Sequence, residues 1–239
     1  MKHRLYLAPP FAAGAERVLD ADQAHYLTRV LRLPRGGRLT CFDGAGSAWL
    51  ATLTAASGKS ATVRFDELLE QRPAPGARLH LVQGILKGAA MDEVIQKATE
   101  LGATDIWLLD AARSNVGLDR DRRGRKLEHW QRIVESAAAQ CQQLHLPDLH
   151  GPLPLAECLD ALGTIPLLFL DPGAPPLPLA PPEGPLAVLV GPEGGWSDPE
   201  RALAIGRGAM PCGLGRLVLR AETAPLAILA ALRHSRHWQ

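Results

Sequence analysis

The fold turns on Leu186-Ala187-Val188-Leu189-Val190-Gly191-Pro192-Glu193-Gly194-Gly195-Trp196-Ser197-Asp198-Pro199-Glu200. Its five uninterrupted apolar residues predict a strand buried on both faces, as in a parallel sheet covered by helices. Ser197 and Glu200 frame a capping box that opens a helix running to about Gly208. Between strand and helix lie three glycines around a Pro-Glu pair. In an open parallel sheet, ligands bind beyond the carboxyl ends of the strands, and glycines let the backbone approach a ligand closely. A phosphate-cradling loop would add a lysine or a G-x-G-x-x-G spacing, and neither is present. Glu193 also disfavours a phosphate and suits a ligand with cationic groups. A tight strand-to-helix connection would explain the same glycines with no ligand at all.

A second loop stands about 20 residues on: Gly213-Leu214-Gly215-Arg216-Leu217-Val218-Leu219-Arg220-Ala221-Glu222-Thr223-Ala224-Pro225. Its apolar run is short enough to wrap a flat apolar ligand surface such as an adenine ring. Thr223 as an N-cap and Glu222 near a helix N-terminus explain part of it structurally. Arg220 has no such explanation.

Upstream, strands are predicted at Leu79–Gln83, Asp105–Leu109 and Ile165–Leu170. Amphipathic helices are predicted at Ala90–Leu101, closed by Gly102, and at Arg125–Leu144. A last helix starts near Thr223. The proline-rich Gly173–Pro185 reads as a connecting loop. Before Arg72-Pro73-Ala74-Pro75-Gly76, a linker signal, the chain is β-rich. Runs at Arg38–Phe42, Ser47–Thr54 and Ser60–Phe65 are separated by glycine turns, and a helical stretch spans Asp20–Leu33. The reading is therefore an α/β domain over 73–239 preceded by a small β-rich domain over 1–72.

The 239 residues are 46% hydrophobic and 21% charged, a composition for soluble globular domains with real cores. No uncharged apolar run approaches the roughly 18 residues of a membrane span, and Pro9-Pro10 interrupts any signal region, so a cytoplasmic protein with no membrane association is expected. Cys41, Cys141, Cys158 and Cys212 form no metal-ligand spacing, so no metal is expected and the thiols read as free. The net charge is only +1, yet residues 1–38 and 113–132 each hold seven Lys/Arg against three acids. Arginine dominates both stretches, which suits a polyanion. An ordinary solvated surface would look the same.

The two glycine-bearing loops, Val190–Gly195 and Leu219-Arg220-Ala221-Glu222-Thr223-Ala224, resemble the signature of the small-subunit (16S) rRNA uridine-N3 methyltransferase family. His25-Tyr26-Leu27-Thr28-Arg29-Val30-Leu31-Arg32, Lys87-Gly88, Ile95-Gln96-Lys97-Ala98-Thr99-Glu100-Leu101-Gly102, Arg113-Ser114 and Trp130-Gln131-Arg132-Ile133 match in order. The resemblance covers nearly the whole chain. It implies a SPOUT-type α/β domain with a C-terminal trefoil knot, a rare exception to unknotted topology, after a small β-rich PUA-like barrel that helps bind RNA. It implies a homodimer and S-adenosyl-L-methionine as cofactor. The cofactor would be bound by Val190, Gly191, Pro192, Glu193, Gly194, Leu214, Gly215, Leu217, Leu219 and Thr223. The substrate would be 16S rRNA within the assembled 30S subunit. Where the family often has Gly-Arg, this chain has Gln142-Gln143, and Ala221 replaces a frequent threonine.

Uridine N3 carries a proton and faces its pairing partner, so the target must be unpaired or swung out. A guanidinium near O2 or O4 would stabilise the developing uracil anion, and Arg220 is the candidate. Arg113, with Arg29, Arg32, Arg122 and Arg123, is a candidate for RNA contact. Glu222 could accept the N3 proton, hold the methionine amino group, or only brace the last helix. Competing readings are a SPOUT enzyme acting on transfer RNA or another ribosomal site, a non-catalytic RNA-binding assembly factor, and a nucleotide-dependent α/β enzyme that lacks its fingerprint.

Overall fold

A computed structural model describes residues 3–57, 60–114, 120–178 and 182–235, without the side chains of 120–122. The chain forms two compact units, residues 1–74 with 138–146, and residues 75–137 with 147–239.

The first unit is built on a five-stranded sheet in the order β1-β3-β4-β5-β2. The strands are β1 (Arg4–Tyr6), β2 (Glu16–Leu19), β3 (Arg38–Phe42), β4 (Ser47–Ser57) and β5 (Ser60–Gln71). Leu39, Leu53, Val63 and Phe65 alternate with polar neighbours and meet Leu7, Leu19 and Leu27 in one core, the period-2 burial of a half-covered sheet. The predicted helix of 20–33 is divided. The α-helix α1 (Ala21–His25), capped by Asp20 and Gln23, gives way to a π-helical turn at Tyr26–Val30. Arg32 then adopts φ +51, so the chain turns away before Leu33. Residues 138–146, which the sequence reading places in the second domain, belong to this unit because Ala138 and Leu144 pack on Phe42 and Ala48.

The second unit carries a six-stranded sheet in the order β11-β9-β10-β6-β7-β8. These are β6 (Leu79–Gly84), β7 (Asp105–Leu109), β8 (Asp148–Leu153), β9 (Leu167–Leu170), β10 (Leu186–Val190) and β11 (Met210–Cys212). Every neighbouring pair is parallel. All residues of β6, β7, β9 and β10 are buried; β9 and β10 are continuously apolar, as strands covered on both faces require, while β6 and β7 also bury His80, Gln83 and Asp105. Connecting helices are α2 (Ala89–Glu100), α3 (Arg120–Cys141), α4 (Leu155–Leu162), α5 (Asp198–Gly206) and α6 (Thr223–Ser235). Gly102 closes α2 at φ +78, with the Ala103 N–H reaching back to the Ala98 carbonyl, a glycine C-cap. Among the described residues no helix is long and apolar enough to cross a membrane.

At the amino ends of the central strands lies a charged network. Asp105, 1% exposed, accepts from Arg78 Nε at 2.8 Å and from Thr104 Oγ1 at 2.8 Å, and its Oδ1 lies 2.9 Å from His150 Nε2. Burial alone would raise this carboxyl. Its bonds to His150, Arg78 and Thr104 and the nearby His80 instead hold it far below the usual carboxylate range, because hydrogen bonds and cations favour the charged form. Asp105, Asp148 and His150 bring ligand-type atoms within 4.8 Å of one another. Arg78 donates to both carboxylates, so their charge is met by a guanidinium. Cys41, Cys158 and Cys212 are buried thiols outside any disulfide, and burial pushes the first two up to about 12 and the third to about 11.

Candidate active site

Parallel strands deliver their loops to one edge, so the ends of β9, β10 and β11 meet. Asp171-Pro172 follows β9, Gly191 follows β10 and Gly213 follows β11. Together with Leu214, Gly215 and the stretch 217–222 these loops line a cavity of about 700 Å³, within the range of small-molecule sites. Val190, Gly191, Pro192, Glu193 and Gly194 line it from one side, and Leu214, Gly215, Leu217 and Leu219 from the other. Arg220 and Glu222 line it too. The two stretches singled out in the sequence, separated by α5 and β11, thus form one site.

The first loop is rigidly supported. Trp196 is 4% exposed; its Nε1 donates to the Leu170 carbonyl at 3.0 Å and its ring lies 4.8 Å from that of Phe169. This ties the end of β10 to the end of β9. A Cβ on Gly84 would stand 2.6 Å from the Pro192 ring and one on Gly194 would stand 2.8 Å from Arg113 Cβ, so both glycines permit backbone approaches that alanine would block. Gln83 Nε2 donates to the Gly191 carbonyl at 3.3 Å. Glu193 lines the cavity, but its Oε1 accepts the Lys87 backbone N–H at 3.0 Å. Half of the carboxylate read as a partner for a cationic ligand therefore anchors the Lys87-Gly88 turn. Gly88 itself holds φ +58 at the start of α2, a conformation that favours glycine.

The second loop is more open. Leu217 and Val218 are 82% and 80% exposed. The Arg220 carbonyl accepts the N–H groups of both Thr223 and Ala224 at 3.0 Å, which starts α6 and fixes the backbone beneath the Arg220 side chain. Thr223 itself is exposed as the first residue of α6 and is not among the lining residues. Asp171 lines the cavity and was not anticipated. It pairs with Arg201 of α5, and its only sequence signal is its position directly after an apolar strand.

Arg113 is exposed in the loop after β7, where its Nη1 donates to the Gly194 carbonyl at 3.3 Å. Among the other basic candidates, Arg29 and Arg32 are exposed in the first unit and Arg123 is exposed on α3. The side chain of Arg122 lies outside the described residues.

The family model of an RNA methyltransferase domain matches residues 72–233, and that of an RNA methyltransferase PUA domain matches residues 19–66. The ribosomal RNA small subunit methyltransferase E of Synechocystis sp. is 35% identical, covering 97% of this chain and 77% of that protein. The protein of that name from Bacillus subtilis is 27% identical over 98% of this chain and 93% of its own. Among solved structures, a Legionella pneumophila methyltransferase in complex with bound S-adenosylmethionine superimposes with a TM-score of 0.91 at 32% identity, covering 97% of each chain. A Neisseria gonorrhoeae ribosomal RNA small subunit methyltransferase E bound to S-adenosylmethionine gives 0.85 at 31% identity, again covering 97% of each. With both domain models, the curated relatives and the fold in agreement, this chain belongs to the ribosomal RNA small subunit methyltransferase E family.

Proposed function

We propose that this protein methylates N3 of a specific uridine in small-subunit (16S) ribosomal RNA, using S-adenosyl-L-methionine. The observation that carries the reading is the convergence of Val190–Gly194 and Leu214–Glu222 on one cavity, with Arg220 at its solvent side. The residues fit the cofactor. Val190, Leu214, Leu217 and Leu219 offer apolar surface for a purine. Gly191, Gly194 and Gly215 leave backbone groups accessible, and Glu193 and Glu222 supply negative charge opposite an ammonium or sulfonium group. Bound there, the cofactor supplies an electrophilic methyl group.

The chain's own residues have three tasks. The loops align the target base, and alignment alone can remove a large part of a barrier. Arg220, its side chain 86% exposed, faces incoming RNA, where its guanidinium stabilises negative charge developing on O2 or O4 as N3 loses its proton. Glu222, 24% exposed beside it, has the position either to accept that proton or to hold the cofactor's amino group. N3 gives up its proton, to Glu222 where that residue serves as the base, and the methyl group that N3 gains would come with cleavage of the cofactor's sulfur–methyl bond, leaving a neutral thioether. Arg29 and Arg32 in one unit and Arg113, Arg122 and Arg123 in the other contact RNA phosphates or bases. The exposed apolar pair Leu217 and Val218 supports a homodimer, since large apolar side chains flanking a site favour burial by a second copy. The trefoil knot, a substrate within the assembled 30S subunit and a cytoplasmic location belong to the same reading.

The test is methyl transfer from labelled cofactor to small ribosomal subunits, and separately to free RNA, from cells lacking this enzyme. One N3-methyluridine, mapped by mass spectrometry in the small-subunit RNA, is expected. Modification of transfer RNA alone would replace the substrate, and cofactor binding without transfer to any RNA would leave a binding protein.

A further inference from the structure

The capping box of α5 does more than cap. Glu200 Oε2 accepts the Ser197 N–H at 2.9 Å and the Ser197 hydroxyl at 2.6 Å, and these bonds complete the box. Its other oxygen, Oε1, accepts the backbone N–H of Ala112 at 2.8 Å, 88 residues away in the loop that follows β7. The next residue is Arg113, whose Nη1 donates to the Gly194 carbonyl at 3.3 Å. The two backbones are in close approach, because a Cβ on Gly194 would also stand 2.9 Å from the Arg113 carbonyl oxygen. One carboxylate therefore joins three things: the start of α5, the loop between β10 and α5, and the segment carrying Arg113. Burial alone would raise the Glu200 carboxyl, but the bonds from Ser197 and Ala112 and the charge of Arg113 hold it below the usual carboxylate range. It stays ionised, with both oxygens accepting.

From this geometry we infer that Glu200 is a positioning residue for the reaction, fixing Arg113 against the cofactor loop so that RNA engagement and the cofactor site keep one register. The inference rests on the reading of Arg113 as an RNA contact. A cap needs only Ser197 as partner, so the Ala112 bond is the feature that capping leaves unexplained. Glutamine cannot replace the carboxylate, since it has one acceptor oxygen where two N–H donors on opposite sides each require one. Glu200→Gln must give up either the cap or the Ala112 bond. Ser197→Ala, by contrast, removes the hydroxyl and leaves the Ala112 bond in place.

The experiment compares the full-length protein with Ser197→Ala, Glu200→Gln, Arg113→Ala and the Glu200→Gln/Arg113→Ala double variant. It measures KM for small-subunit RNA, Kd for S-adenosylmethionine and Tm. Glu200→Gln is expected to raise the RNA KM about tenfold while cofactor Kd changes less than threefold. Ser197→Ala is expected to lower Tm with little change in RNA KM. The double variant should be no worse than Arg113→Ala, because coupled residues are non-additive. Additive defects, or a cofactor Kd that moves in step with the RNA KM, would overturn the role of Glu200 while leaving Arg113 standing. An unchanged RNA KM in Arg113→Ala would sink the Arg113 reading and this one with it.

Discussion

Arg220 and Glu222 stand 3.8 Å apart on the same cavity wall but in opposite surroundings, with 86% of the first side chain and 24% of the second exposed. An ion pair of that length with one partner in water contributes little to stability. Arg220 is held by its backbone, through the start of α6, and not by its charge, so the guanidinium remains available to a substrate. Arg220→Ala is expected to lower kcat by about 100-fold, the scale of losing one donor to a developing anion, with Tm unchanged. Single-turnover methylation alongside thermal unfolding checks this; near-normal turnover excludes the assigned role.

Gly194 tests the first loop. Its φ lies outside the left-handed region, so an added methyl group meets only a steric objection: Arg113 Cβ at 2.8 Å and the Arg113 carbonyl oxygen at 2.9 Å. Both neighbours belong to backbone or its first side-chain carbon, which cannot swing aside. Gly194→Ala should therefore push the Arg113 segment from the loop and weaken cofactor binding at least tenfold in calorimetry. Gly173→Ala, at φ +84 with open space around its Cβ, should cost about 1 kcal/mol of stability from backbone strain and leave cofactor affinity unchanged.

What could be read in the sequence follows from how strongly each segment is constrained by its own residues. The runs Leu186–Val190 and Asp105–Leu109 are observed with the predicted bounds, because an unbroken apolar run, Leu186–Val190 in the one and Ile106–Leu109 in the other, has few alternatives. The two cavity loops were visible because glycine clusters between regular elements are unusual. The edge strands were not. β8 contains Gly151-Pro152 and β11 contains Pro211, and proline is tolerated only at a sheet's edge, where local pattern is weakest. Asp171 became a site residue only through the strand order, which brings β9 beside β10 and β11. The bond from Ala112 to Glu200 likewise depends on tertiary placement, although the capping box itself was legible.

The Asp105 network sets a pH dependence. The folded-state carboxyl is depressed, so its stabilisation is fully present above the unfolded value of about 3.9 and is lost as pH falls through that value toward the folded one. His80 acts earlier. Burial lowers its pKa despite the neighbouring Asp105, so below about pH 6.5 the unfolded chain binds a proton that the folded one does not. Stability should fall in two stages on acidification. Asp105→Asn should cost about 1–2 kcal/mol at neutral pH, the scale of hydrogen bonds to a charged group whose guanidinium partner stays half in water, and flatten the stage below about pH 5. Urea titrations between pH 2 and pH 8 separate the stages; an unaltered acid limb in the variant would count against Asp105 as its source.

Gln142 occupies a position where the resemblance places glycine. α3 ends at Cys141, and Gln142 follows at φ +65, the left-handed conformation that terminates helices. The Gln143 N–H then closes back on the Ala138 carbonyl at 3.1 Å. A side chain there costs about 1 kcal/mol that glycine avoids. The Gln142 side chain is exposed, so little packing is lost by removing it. Gln142→Gly should therefore stabilise the protein by somewhat under that amount, because glycine also gains freedom in the unfolded chain. A Tm rise of about 2 °C is the expected reading for a chain of this size. Gln142→Ala keeps the left-handed strain and should bring no gain. If both variants move Tm equally, backbone conformation is not what this position contributes, and the loss of glycine here has been absorbed elsewhere in the turn.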